Sequence, residues 1–177
     1  MKHRPIGEAD RLITFYTNTT GKVNAVARSV RKPGSKFGGS LDILNHVRLS
    51  LARGRSLDHV SESDVINSHR GIKENLDRMA QAIYIMELVD TFGEDRSANR
   101  ELFASTVSLL NEYDTGVNVD YETLKFEMKL LKSTGFVPEF LVCVKCRSEL
   151  LPESHLFDSS SGGVLCAGCR HGFCLLD

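Results

Sequence analysis

Apolar and polar positions change rhythm along this chain. Residues 12–17 run together as β-branched and aromatic side chains up to the turn Asn18-Thr19-Thr20-Gly21, and over residues 22–30 Val23, Ala25 and Ala27 alternate with Asn24, Val26 and Arg28. A period of two marks a half-buried strand, and two such runs around a polar turn ending in glycine predict a hairpin. Residues 31–40 contain Pro33, Gly34, Gly38 and Gly39 and predict a loop. Alternation returns over 41–52 through Leu41, Ile43, Val47, Leu49 and Leu51, Arg53-Gly54-Arg55 turns the chain, and 56–66 comes back with Leu57, Val60 and Val65. Residues 1–66 are therefore expected to form a small antiparallel barrel or sheet.

The spacing then becomes helical. Over 72–92, Leu76, Met79, Ala80, Ile83, Met86 and Val89 recur at helical intervals, Tyr84, Ile85 and Leu88 widen the apolar face, and Gly93 stands as a stop. Two further helices are expected over 99–113, with Leu102, Phe103, Thr106, Leu109 and Leu110, and over 120–134, with Leu124, Met128, Leu130 and Leu131, ending near Gly116 and Gly135. Three helices make a small bundle, expected over 67–140. In the last stretch, 141–177, Leu156-Phe157 and Val164-Leu165 flank a polar turn over 158–163, which reads as two short strands. The expected fold class is α+β and multidomain.

Cysteine spacing gives that last stretch its chemistry. Cys143 and Cys146 form one CxxC pair, Cys166 and Cys169 form another, and nineteen residues separate them, the spacing of a two-knuckle zinc site. Each CxxC puts two thiolates on one tight turn, and two facing turns supply the tetrahedral four-sulfur shell that Zn²⁺ prefers. Such a closed shell leaves no position for water or substrate, so the zinc is expected to be structural and the region a zinc ribbon. Cys174, His155 and His171 stand nearby and read as spare residues. A disulfide framework and a redox CxxC are the weaker readings of the same cysteines.

Composition and charge narrow the function. With 177 residues, 41% of them apolar and 25% charged, the chain has ordinary globular usage. Neither a signal peptide nor an apolar run of membrane length is present, which reads as soluble and cytosolic. The net charge of −1 hides two signs: residues 1–58 hold 11 Lys/Arg against four acids, +7, and the remainder holds 11 against 19, −8. A basic N-terminal part suits a polyanion such as nucleic acid, and equally describes a solvated surface. Arg31, Lys32 and Lys36 surround Phe37 in the predicted loop, and Phe15, Tyr16 and Phe37 are candidate base-stacking platforms whose alternative is the core. Neither a phosphate-binding loop, a dinucleotide fingerprint, a nucleophile elbow nor an HExxH helix occurs, so no enzyme is expected.

These pieces coincide with a known family. Gly7-Glu8-Ala9-Asp10-Arg11-Leu12, Thr17, Gly21-Lys22-Val23, Ala25-Val26-Ala27-Arg28 and Arg31-Lys32-Pro33 through Ser35-Lys36-Phe37-Gly38-Gly39 resemble the opening of the bacterial DNA repair and recombination mediator family RecO. The resemblance continues through Leu130-Leu131 and Gly135-Phe136-Val137-Pro138 into the four cysteines with Gly162-Gly163-Val164-Leu165-Cys166. It implies an N-terminal OB-fold-like β-barrel over 1–66, a helical domain over 67–140, and a four-cysteine zinc ribbon and tail over 141–177. It further implies binding of single- and double-stranded DNA, annealing of complementary strands, and loading of RecA together with RecR onto DNA coated by single-stranded DNA-binding protein, whose C-terminal tail docks on the helical domain. The implied location is the bacterial cytoplasm, at the nucleoid during repair. Carried over by motif, Arg28, Arg31, Lys32 and Lys36 are the expected DNA contacts, with Arg11, Arg53 and Arg55 behind them, and the metal ligands are Cys143, Cys146, Cys166 and Cys169.

Relative to the family pattern the chain is expected to lack part of a first strand before His3-Arg4 and a helical segment after the ribbon, leaving an open barrel edge and an uncovered bundle. The competing reading is a zinc-ribbon adaptor that holds a protein partner and has no direct DNA affinity. A zinc-dependent hydrolase is disfavoured by the closed all-cysteine shell.

Overall fold

The computed structural model describes residues 2–116, 119–152 and 155–171. Cys174 lies outside them. The described chain is mixed α+β and divides into two compact units, Met1–Phe126 and Glu127–Asp177. Among the described residues no helix is long and apolar enough to cross a membrane.

The first unit opens with five strands: β1 (Lys2–Ile6), β2 (Asp10–Thr17), β3 (Gly21–Ala27), β4 (His46–Ala52) and β5 (Asp58–Asn67). The predicted hairpin is present as β2 and β3, paired antiparallel from Arg11↔Ala27 to Thr17↔Gly21. Thr17 Oγ1 closes its turn by donating to Gly21 O at 3.0 Å and accepting from Thr20 N–H at 3.1 Å. β4 and β5 form the second expected hairpin, with register shifts after His46 and Ser50.

The sheet order is β1-β2-β3-β5-β4, so the expected barrel is not closed. Among the described residues β1 pairs only with β2 and β4 only with β5, leaving both as edges. The join between the two hairpins is a short parallel contact, Ala25↔Asp58 and Val26↔His59. Burial still follows the alternation: Ile13, Ala25, Ala27 and Val60 point into one core with Phe37 and Leu41, and Phe15, Val30, Leu49 and Leu51 pack around it.

Two predicted boundaries shift. The strand expected from residue 41 begins only at His46, because Leu41 and Leu44 are buried from a run of turns and Leu44 adopts φ 64°. Buried His69 fixes that run: its Nδ1–H donates to Leu44 O at 2.7 Å, and its Nε2 lies 3.2 Å from Asn111 Oδ1. The helix expected over 72–92 is broken into α1 (Arg70–Lys73) and α2 (Leu76–Phe92). Asn75 interrupts it as an N-cap, its Oδ1 accepting Arg78 N–H at 3.0 Å, which leaves Leu76 exposed in the first turn.

The other helices, α3 (Arg100–Thr115) and α4 (Val119–Ser133), lie close to their expected bounds. Asn99 caps α3 by accepting Leu102 N–H at 2.9 Å, and Gly116 ends it at φ 83°. Ala82, Ile85 and Val89 of α2 and Leu102, Leu109, Leu110 and Tyr113 of α3 are buried. The Tyr113 and Thr123 hydroxyls hydrogen-bond, and Gln81 donates to Asp120 at 3.0 Å, tying the start of α4 to α2 and α3.

The second unit contains β6 (Leu156–Asp158), β7 (Gly163–Leu165) and α5 (Ala167–Arg170). β6 and β7 pair as the two short strands expected, and Asp158 closes their turn through Ser160 and Ser161 hydroxyls at 2.7 and 2.6 Å.

Candidate functional site

The second unit is organised around sulfur. Glu139 accepts Leu141 N–H at 2.8 Å, which with neighbouring amides holds its carboxyl below the usual range and starts the turn carrying Cys143 and Cys146. Val144 N–H donates to Val164 O at 3.0 Å and Glu139 N–H to Gly162 O at 3.0 Å, laying this turn along β7. The second knuckle follows β7 directly, with Cys166 capping α5 and Cys169 within it. The four Sγ atoms lie within 4.8 Å of one another, and Cys146 and Cys166 are 3.8 Å apart. A tetrahedral shell with metal–sulfur bonds of about 2.3 Å requires sulfurs about 3.8 Å apart, so the donor set fits a metal ion.

Backbone amides prepare the thiols. Cys166 N–H points at Cys143 Sγ and Cys169 N–H at Cys166 Sγ, both at 3.4 Å. Burial pushes the Cys143 thiol up, but amide donors from Cys146, Cys166 and Lys145 outweigh it and bring its pKa down to about 6. Cys143, Cys146 and Cys166 are free thiols. His155 donates from Nε2 to Leu151 O at 2.5 Å and His171 is exposed, leaving both outside the cluster.

The expected nucleic-acid residues all belong to the first unit. Arg28, Arg31, Lys32, Lys36, Arg53 and Arg55 are exposed, and Arg11 is half-buried on β2 opposite Ala27. Ser29 N–H donates to Asp10 Oδ1 at 2.7 Å and Arg31 N–H to Ala9 O at 3.0 Å, binding the start of the basic loop to the β1–β2 turn. Arg11, Arg28, Arg31 and Lys32 therefore gather at one end of the sheet. Lys36 donates to Ser61 O at 2.9 Å with its ammonium 4.9 Å from the Phe37 ring centre, which pins the loop to β5. Arg53 and Arg55 precede β5, whose Asp58 stands beside Ala25, and so lie toward the opposite end of the β3–β5 pair from Arg28.

The model described as Recombination protein O N terminal matches residues 1–69, and that described as Recombination protein O C terminal matches residues 73–174. The chain belongs to the RecO family. Curated relatives named DNA repair protein RecO include one from Dehalococcoides mccartyi strain 195, 37% identical over 165 residues that make up 93% of this chain and 65% of the relative. Others come from Symbiobacterium thermophilum, 38% identical over 94% of this chain and 67% of the relative, and from Nocardioides sp., 31% identical over 96% and 71%. The chain spans about two thirds of the length of the RecO relatives it matches, 65% for the Dehalococcoides protein.

Two features of this RecO chain escape its local sequence pattern. Phe37, a candidate stacking platform, is a core residue at 3% exposure, because Gly38 and Gly39 fold its loop back over the sheet. Phe15 packs at the edge of the same core, and Tyr16 lies against Phe103 of α3 with ring centres 6.4 Å apart. β1, with Lys2 and Arg4, goes unmarked in the sequence because Lys2-His3-Arg4-Pro5 carries neither alternation nor β-branched residues before Ile6.

Proposed function

We propose that this RecO-family chain serves DNA repair as a recombination mediator: it binds DNA, anneals complementary strands, and helps load RecA with RecR onto DNA coated by single-stranded DNA-binding protein. The observation that carries the reading is the family membership joined to the basic loop, where Arg28, Arg31 and Lys32 stand exposed at one end of an open sheet. Annealing needs no cofactor chemistry. Cations that neutralise phosphates on two strands release their counterions and lower their repulsion, and base pairing then supplies the drive. In this reading residues 1–66 carry the nucleic acid, 67–140 take the tail peptide of the single-stranded DNA-binding protein, and 141–177 form the ribbon. The DNA contacts are Arg28, Arg31, Lys32 and Lys36, supported by Arg11, Arg53 and Arg55. The protein works in the bacterial cytoplasm at the nucleoid and is not an enzyme.

The metal is Zn²⁺, held by Cys143, Cys146, Cys166 and Cys169. When bound it supplies a closed structural shell and no reactive position. The chain's own part is to present the thiolates on two amide-lined turns joined through β7.

The test is fluorescence anisotropy of a labelled single-stranded oligonucleotide across a salt titration. Tight binding that weakens steeply with salt is expected, and replacing Arg31, Lys32 and Lys36 together with Ala should weaken it and flatten the slope by about 0.7 per lost phosphate contact. Unchanged binding in the triple variant overturns the assignment of these residues. The adaptor reading draws on exposed apolar residues of the second unit such as Phe136 and Leu141, and partner binding retained by a chain with no DNA affinity would select it.

A further inference from the structure

Strand register gives the cations of β1–β3 a common frame. Arg4 stands opposite Leu12, and Leu12 opposite Val26, so the three share one face of the sheet. Two residues beyond Val26 that face runs out at Arg28, where β3 gives way to the turn leading to Arg31 and Lys32. Crossing two strands and moving two residues along puts Arg4 about 12 Å from Arg28. The Arg31 N–H bond to Ala9 O brings the loop against the turn that follows β1.

The other cations of this face have a different fate. Lys2 meets Asp90 of α2 at 2.5 Å, and Lys22 lies 3.6 Å from Asp90 and 3.8 Å from Asp95. Arg4 is exposed, and among the described residues no ion pair engages Arg4, Arg28, Arg31 or Lys32. The acids at this end are Asp10, whose Oδ1 is occupied by Ser29 N–H, and Glu8, exposed in the turn. One end of the face is thus neutralised by the helix, and the other presents cations to solvent.

Building on the DNA-binding reading above, we propose that Arg4 is a further phosphate-contacting residue, and that the nucleic-acid path runs over the β1–β3 face from Arg4 to Arg28 and on to Arg31 and Lys32. Lys2, two residues along β1, and Lys22, two strands away on the same face, take no part, because both are already paired with Asp90 and Lys22 also with Asp95. An arginine with no acidic partner exchanges only counterions when it meets a phosphate, whereas Lys2 must first give up a carboxylate.

Arg4→Ala, Arg4→Lys, Lys2→Ala and the double variant Arg31→Ala/Lys32→Ala are to be titrated with a labelled single-stranded oligonucleotide at several salt concentrations, each folded by circular dichroism. Arg4→Ala should bind roughly threefold more weakly and lose about 0.7 from the slope of log K against log salt. Arg4→Lys, which keeps the charge, and Lys2→Ala should keep the parent slope. If the double variant flattens the slope and Arg4→Ala does not, or if Lys2→Ala flattens it as much as Arg4→Ala, the path assigned here is wrong and the wider reading stands. If the parent does not bind, or the double variant binds like the parent, the DNA reading of this loop fails and the Arg4 assignment falls with it.

Discussion

Asp90 is where α2 meets the sheet, and its carboxylate serves two lysines that come from different strands. Burial pushes this carboxyl up, but hydrogen bonds and charge from Lys2 and Lys22 outweigh it and hold it below its usual 3.8. A depressed acid stabilises the fold above its unfolded-state pKa, and that contribution is lost as pH falls below about 4 through the lowered value. Asp90→Asn should therefore cost about 1 kcal/mol at pH 7. The difference from the parent should shrink on acidification, and thermal melts at pH 7 and at pH 3 check both halves. Lysines are common on any surface, so nothing in the sequence around Lys2 or Lys22 separated them from Arg4. Only their position opposite α2 did.

Among the elements, the β2–β3 hairpin was legible because alternation and turn chemistry agree there, and Gly21 carries a second duty that they do not reveal. Its φ is +70°, and a Cβ placed on it would stand 2.0 Å from Ser97 O. The α2–α3 connection passes this closely because Lys22 N–H donates to Glu94 O and Arg96 N–H to Lys22 O, both at 3.1 Å. Gly21→Ala combines left-handed strain with a backbone clash and should cost roughly 2–3 kcal/mol, read as a lower midpoint in thermal or denaturant unfolding. The turns between β3 and β4 were less legible. Leu41 and Ile43 look like strand alternation, but His69, distant in sequence, holds Leu44 O and turns the segment back over the core. The break before α2 had a local signal in Asn75, a good capping residue, but the apolar spacing around it concealed the interruption.

For the molecule as a whole, the two units respond to different conditions. The second unit sets two short strands beside four clustered cysteines that fit a metal ion, while the first has an apolar core and two capped helices. Removing metal with a chelator, or replacing Cys143 with Ser, should lower bound zinc from one equivalent, open residues 139–171 to proteolysis, and leave intact a fragment that contains the first unit and α4. Elemental analysis and mass spectrometry of the limit digest check this, and a purified, reduced chain with no stoichiometric metal would refute it.

The four-cysteine spacing, the two hairpins and the excess of cations before residue 58 were set by the sequence alone, because each depends on residues close together in the chain. Tertiary structure decided what depends on distant partners. The sheet stays open because, among the described residues, β3 and β5 share only two residue pairs while β1 and β4 find no second neighbour. Phe37 went to the core, and Asp90 and Asp95 paired with Lys2 and Lys22 while Arg4 remained in solvent. A residue's type fixes the charge or apolar area it brings; whether a carboxylate, a core or water meets it is settled only when remote segments pack.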